Sequence, residues 1–108
     1  MSNTDVAYFQ ELLNQTINQV ESISDALQPF LDRPLAQIDP VEKAILWVAG
    51  YELKNRLDVP YRVAINEAVD LAKVFGAEQG HKFINGVLDK AAKTLRSTEI
   101  EAGKARAR

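Results

Sequence analysis

The only histidine, His81, stands three residues after Glu78. A Glu-x-x-His pair is half of the pattern by which a four-helix bundle holds two irons. A working site needs a second such pair and two further inward glutamates. Glu67, the remaining candidate, sits beside Asn66 and Asp70 on a polar face, so no metal centre is expected. Nucleophilic catalysis needs a base and an orienting acid around the nucleophile. The four serines lie near the chain ends or within the first helical segment, with no signature around them. Gly76-Ala77-Glu78-Gln79-Gly80 lacks the lysine and the spacing of a phosphate-binding loop and reads as a turn between helices. The residues therefore describe a binding module, not an enzyme, with no catalytic residue, metal or cofactor.

Two surface patterns suit binding. Lys43, Trp47, Tyr51 and Lys54 recur at helical spacing and set aromatic rings between ammonium groups. Such a stripe fits stacking on RNA bases or anchoring of a protein partner. The plainer and preferred reading is that both rings cover the rim of the core with their polar tips outward. The second pattern is His81, Lys82 and Asn85 in the opening turns of a helix, preceded by Gln79 and Gly80 and accompanied by Phe83. A helix N-terminus offers unpaired N–H groups and a positive dipole end, which suits a phosphate or a splayed base. Most helix ends are only solvated, so this pattern is weak by itself.

The elements that must position these residues are all helical. Val6, Phe9, Leu13, Ile17, Val20, Ile23 and Leu27 follow the three-and-four period of one helix face, which predicts a single helix from about Asp5 to Leu27, ended by Pro29 and Pro34. Asp39-Pro40-Val41-Glu42 is a helix start with an N-cap aspartate, proline at the first helical position and a glutamate placed to complete a capping box. The helix it opens, Pro40 to about Asn55, is apolar over most of its circumference and belongs in the middle of a bundle. Pro60 disfavours helical geometry at Val59 and marks the next break. A third helix from about Tyr61 to Phe75 turns Ala64, Ile65, Ala68, Leu71, Ala72 and Phe75 inward and stops at Gly76. A fourth, from Gln79 or Gly80, turns Phe83, Ile84, Val87, Leu88, Ala91, Ala92 and Leu95 inward. No segment alternates with period two. The fold class is all-α, a helical bundle: a long helix within residues 1–35, a bundle over 36–97, and a basic tail over 98–108, with Lys104, Arg106 and Arg108, that reads as disordered.

A chain of 108 residues is about one domain. It has no cysteine, so disulfides and thiolate metal sites are excluded and a reducing compartment fits. No apolar run approaches the roughly 20 residues of a membrane helix, and Met1-Ser2-Asn3-Thr4-Asp5 has no signal-peptide character, which makes the cytoplasm the expected location. Thirteen basic against fifteen acidic side chains leave a formal net charge of −2. A domain that grips nucleic acid by bulk electrostatics is thereby excluded, and any RNA contact must be local.

At Pro40-Val41-Glu42-Lys43-Ala44-Ile45-Leu46, Tyr51-Glu52-Leu53, Asp58-Val59-Pro60-Tyr61 and Ile65-Asn66-Glu67-Ala68 the chain resembles the NusB family in order and spacing. The likeness sharpens at Leu71-Ala72-Lys73, at Phe75-Gly76-Ala77-Glu78, and from His81 through Lys90, and it extends from about Asp5 to Arg96. The resemblance implies a helical fold without enzymatic activity and a role in transcription antitermination. It also implies pairing with NusE, a ribosomal small-subunit protein, and binding of the pair to boxA RNA within an RNA polymerase complex. RNA contacts carried over from the family fall on Glu78, Gln79, His81, Lys82, Phe83 and Asn85. The partner-facing surface carries over to Glu42 at the start of the central helix, with Lys43 and Trp47 beside it. At Gln79 and Trp47 the chain departs from the family's common pattern, an acidic and a basic residue respectively. An alternative reading, from the same resemblance, is an RNA-binding appendage of an RNA cytosine methyltransferase.

Family members begin with an arginine-rich helix and a second helix, and residues 1–108 start where the third would. Helix one then presents an apolar face of about seven large side chains, worth roughly 10 kcal/mol if covered. It is expected to pack back onto the bundle or to pair with a second copy, giving a homo-oligomer. RNA binding by this chain alone is expected to be weak.

Overall fold

The computed structural model describes residues 3–75 and 80–106, with side chains described for 7, 8, 10–75 and 80–103. Six helices follow one another: α1 (Asn3–Asn18), α2 (Val20–Leu27), α3 (Pro40–Asn55), α4 (Tyr61–Val74), α5 (Gly80–Leu95) and α6 (Ser97–Arg106). Two short 3-10 turns, Gln28–Phe30 and Leu35–Gln37, lie between α2 and α3. Among the described residues there is no strand, and no helix is long and apolar enough to cross a membrane.

α3 begins where its cap demands. The Asp39 carboxylate accepts from the N–H groups of Val41 at 2.9 Å and Glu42 at 3.2 Å, satisfying two of the donors that a helix start leaves free. The helix then packs against α1, α2, α4 and α5, so its long apolar circumference has a neighbour on most sides. Leu46 and Leu53 from α3, Ile23 and Leu27 from α2, and Ile84 and Leu88 from α5 are the largest fully buried side chains. α2 can lie this close because α3 carries Gly50 at the crossing. A Cβ there would stand 2.8 Å from Ile23 Cγ2 and 3.2 Å from Leu27 Cδ1.

The single N-terminal helix read from periodicity is two helices. Gln19 leaves helical geometry at φ −123°, ψ 19°, its N–H donates to the Thr16 carbonyl, and its own carbonyl accepts from Ile23. The break also shifts the phase. In α2 the expected Ile23 and Leu27 are buried, but α1 turns Leu12 and Thr16 inward with Tyr8 partly buried, while Leu13 sits at the rim and Ile17 is 67% exposed. Val6 and Phe9, on the expected face, have side chains outside the described residues. The reason for the rotation is polar: Tyr8 Oη donates to the Glu52 carboxylate at 3.3 Å and its ring lies under the Arg56 guanidinium, which also pairs with Glu11. These contacts favour the Tyr8 side of the helix. Helix one therefore packs back onto the bundle, α1 on α3 and α2 on both α3 and α5.

Two further expectations are corrected. α4 stops at Val74, so Phe75 no longer follows the inward face and is 64% exposed. The stop expected at Gly76 lies outside the described residues. Where a disordered tail was expected from residue 98, α6 forms, because Glu99 is tied down from two sides: its carboxylate accepts the Tyr61 N–H at 3.2 Å and the Arg96 guanidinium at 2.6 Å. Of the tail's basic residues, Lys104 and Arg106 have side chains outside the described set, and Arg108 lies wholly outside it.

Candidate nucleic-acid interface

The opening of α5 combines a buried side with an open one. Gly80 and Ile84 are buried against the bundle, which places Lys82 and Asn85 on the outer side, both exposed, with His81 and Phe83 half-buried between. His81 Nδ1 is buried without a hydrogen-bond partner among the described residues. Glu78 and Gln79, the other two residues expected at this site, lie outside the described residues. The positive end of the α5 dipole, the Lys82 ammonium and the exposed Asn85 amide thus share one surface that can take a phosphate or a base edge.

A residue that periodicity did not single out joins them. Arg33, between the two 3-10 turns, lays its guanidinium over the Phe83 ring, 4.9 Å from the centroid. Its Nε donates to Asp32 Oδ1 at 2.9 Å, and that hydrogen bond, aided by the charges of Arg33 and Lys90, holds the Asp32 carboxyl below the usual carboxylate range despite some desolvation. Nothing in local spacing links positions 33 and 83. An arginine between two turn-forming segments was the only available hint.

The aromatic stripe on α3 packs at the edge of the core, but the Trp47 tip does not point outward to water as expected. Tyr51 is buried and Trp47 half-buried, and α2 covers the stripe: Trp47 Nε1 donates to Ser24 Oγ at 3.0 Å, Lys54 Nζ donates to Ser22 Oγ, and Asn55 Nδ2 donates to Gln19 Oε1 at 3.0 Å. A stripe whose polar groups are spent on α2 is no open stacking platform. Lys43 Nζ lies 5.7 Å from the Trp47 ring centroid, and Lys43 and Glu42 are half-exposed near the start of α3.

This arrangement of helices is one already known. Residues 1–93 match the model of the NusB family, and the chain belongs to that family. Over 97 residues it is 55% identical to the transcription antitermination protein NusB of Idiomarina loihiensis, covering 90% of this chain and 70% of the relative. The protein of the same name from Hydrogenovibrio crunogenus is 57% identical over 97 residues, covering 90% of this chain and 60% of the relative. That of Histophilus somni is 58% identical over 95 residues, covering 88% and 66%. Among solved structures, T. maritima NusB superposes with a TM-score of 0.76 at 30% identity, over 86% of this chain and 66% of that one. The chain thus spans between three-fifths and seven-tenths of these relatives' lengths.

Proposed function

We propose that this chain is an RNA-binding transcription antitermination factor of the NusB type, without catalytic activity, acting in the cytoplasm. It pairs with NusE and binds boxA RNA within an RNA polymerase complex. The observation that carries the reading is the exposure of Lys82 and Asn85 around a half-buried Phe83 at the start of α5, on the very stretch where the NusB resemblance places RNA contacts. Basic, amide and aromatic groups on one small surface suit a single strand, whose bases are free to stack and whose phosphates meet the lysine. A net charge of −2 confines binding to such a local surface. The NusE-facing side is assigned to Glu42 and Lys43, half-exposed near the α3 start, and to Trp47 one turn beyond Lys43, whose ring is half-exposed while its indole N–H is held by Ser24.

Binding measurements with NusE and boxA RNA, singly and together, test the reading. Weak RNA binding by the chain alone, strengthened when NusE is added, is the expected result. Absence of binding to both would overturn it. A second copy of the chain is also proposed as a partner, through the side of helix one that stays open at Ile17. A clean monomer in sedimentation over a wide concentration range would remove that proposal.

A further inference from the structure

We propose that Arg33 is the outer leaf of a stacking platform, holding its guanidinium plane between the Phe83 ring and an unpaired base of single-stranded RNA. The inference rests on the RNA-binding reading above and assigns to it a residue from a different part of the chain. Three observations converge on it. The guanidinium already lies over Phe83, so half of the stack exists without RNA. Its orientation is guided: the Arg33 Nε–H donates to Asp32 Oδ1 at 2.9 Å, and Gln28 Nε2 donates to the Arg33 carbonyl at 3.4 Å. The first 3-10 turn, packed against α2 and α5, holds the segment in place. The third observation is that the outer side is open, since the Arg33 side chain is 45% exposed and its terminal amino groups carry no hydrogen bond among the described residues.

A planar, permanently charged group with one face on an aromatic ring and the other toward water is suited to a base, because guanidinium planes stack on bases as aromatic rings do. Lys90 lies seven residues after Phe83, two turns along the same side of α5, where its charge acts on Asp32. The ligand is a single strand, because a duplex keeps its base faces covered.

The test is fluorescence anisotropy with a short fluorescein-labelled boxA RNA, with and without NusE, on the whole chain and three variants. Arg33→Ala and Arg33→Lys are both expected to weaken binding about tenfold or more, since lysine keeps the charge and loses the plane. Far-UV circular dichroism of both variants is expected to match the parent, because Arg33 is exposed. Arg33→Lys binding within twofold of the parent would overturn the platform and leave at most a point charge. Lys82→Ala separates the two levels of the argument. If it weakens binding and neither Arg33 variant does, the platform is wrong and the RNA-binding reading stands. If the parent binds no RNA even with NusE, both fall.

Discussion

Arg96 donates from Nε to the carbonyl of Leu53 at 2.7 Å, across 43 positions of sequence. The same guanidinium donates to the carbonyls of Glu52, Arg56 and Val59 and to the Glu99 carboxylate, at 2.6 to 2.9 Å. All five N–H donors of an arginine are thus used. Three of these carbonyls belong to the last turn of α3 and its cap: those of Glu52 and Arg56 also accept the N–H groups of Arg56 and Val59, and that of Leu53 is one that a helix end leaves without an intrahelical donor. The side chain is 2% exposed, a burial that a guanidinium tolerates only when fully partnered. Through Glu99 the same residue reaches the first N–H of α4. One side chain therefore closes the end of α3, the loop after it and the base of α6.

Arg96→Ala is expected to destabilise the fold by about 3 kcal/mol or more, because it removes five hydrogen bonds at once and leaves the Leu53 and Val59 carbonyls and the Glu99 carboxylate without that donor. That corresponds to a fall in midpoint of roughly 12 °C or more for a domain this size. Arg96→Lys should recover little, since one ammonium cannot span the carbonyls that the fork reaches. Thermal unfolding followed by circular dichroism decides it: an Arg96→Ala midpoint within a few degrees of the parent would show that the carbonyls find water instead.

The α2–α3 crossing makes a second prediction. Alanine normally stabilises a helix interior over glycine by about 0.5–1 kcal/mol. At position 50 the added methyl meets Ile23 and Leu27, both fully buried and unable to move aside cheaply. Overpacking of this kind costs about 1–3 kcal/mol. Gly50→Ala is therefore expected to destabilise by about 1 kcal/mol net, and urea denaturation showing it neutral or stabilising would mean that α2 shifts freely on α3.

Glu52 gives the fold a pH dependence. Burial, reinforced by the nearby Glu67 charge, pushes its carboxyl up to about 7 from an ordinary 4.5, against the hydrogen bond from Tyr8 and the charges of Arg56 and Arg96. A carboxyl whose folded pKa is raised favours folding in its protonated form. Its contribution is complete below pH 4.5 and is lost as pH rises toward 7. The exposed Asp32 and Asp58 run the other way, with carboxyls held low by Arg33 and Arg56, and their contribution is lost only under acid conditions. Stability measured by urea denaturation from pH 5 to 8 is expected to decline by roughly 2 kcal/mol, and Glu52→Gln should flatten that slope. An unchanged slope in the variant would place the titration elsewhere.

At the proposed RNA surface, Lys82 is expected to act through its charge. Removing one phosphate contact on a single strand lowers the slope of log affinity against log salt by about 0.7. Lys82→Ala should show that change with a severalfold loss of affinity at moderate salt. Titrations at several salt concentrations check it, and an unaltered slope would take Lys82 off the phosphate path.

How much of this was legible in the chain varies by element. The bounds of α3, its aspartate cap and the break at Pro60 were readable because each is a local matter: a side chain, a ring or a missing N–H acting within a few residues. The inward positions Ile84, Val87, Leu88, Ala91 and Ala92 of α5 were readable because a two-column apolar pattern permits one face only. In α1 the pattern was looser. Leu12 and Leu13, or Thr16 and Ile17, lie about 100° apart on a helix, and periodicity alone cannot choose between such neighbours.

The sequence by itself determined that the chain is helical, where its central helices begin, and which residues open α5. It could do so because caps, prolines and apolar period act over a turn or two. Only the tertiary structure decided which side of α1 faces inward, that residues past 96 form α6, that Arg96 binds the end of α3, and that Arg33 lies on Phe83. These rest on side chains meeting side chains or backbone groups about forty or more positions away, and their energy exists only once packing has brought the partners together and removed the water between them.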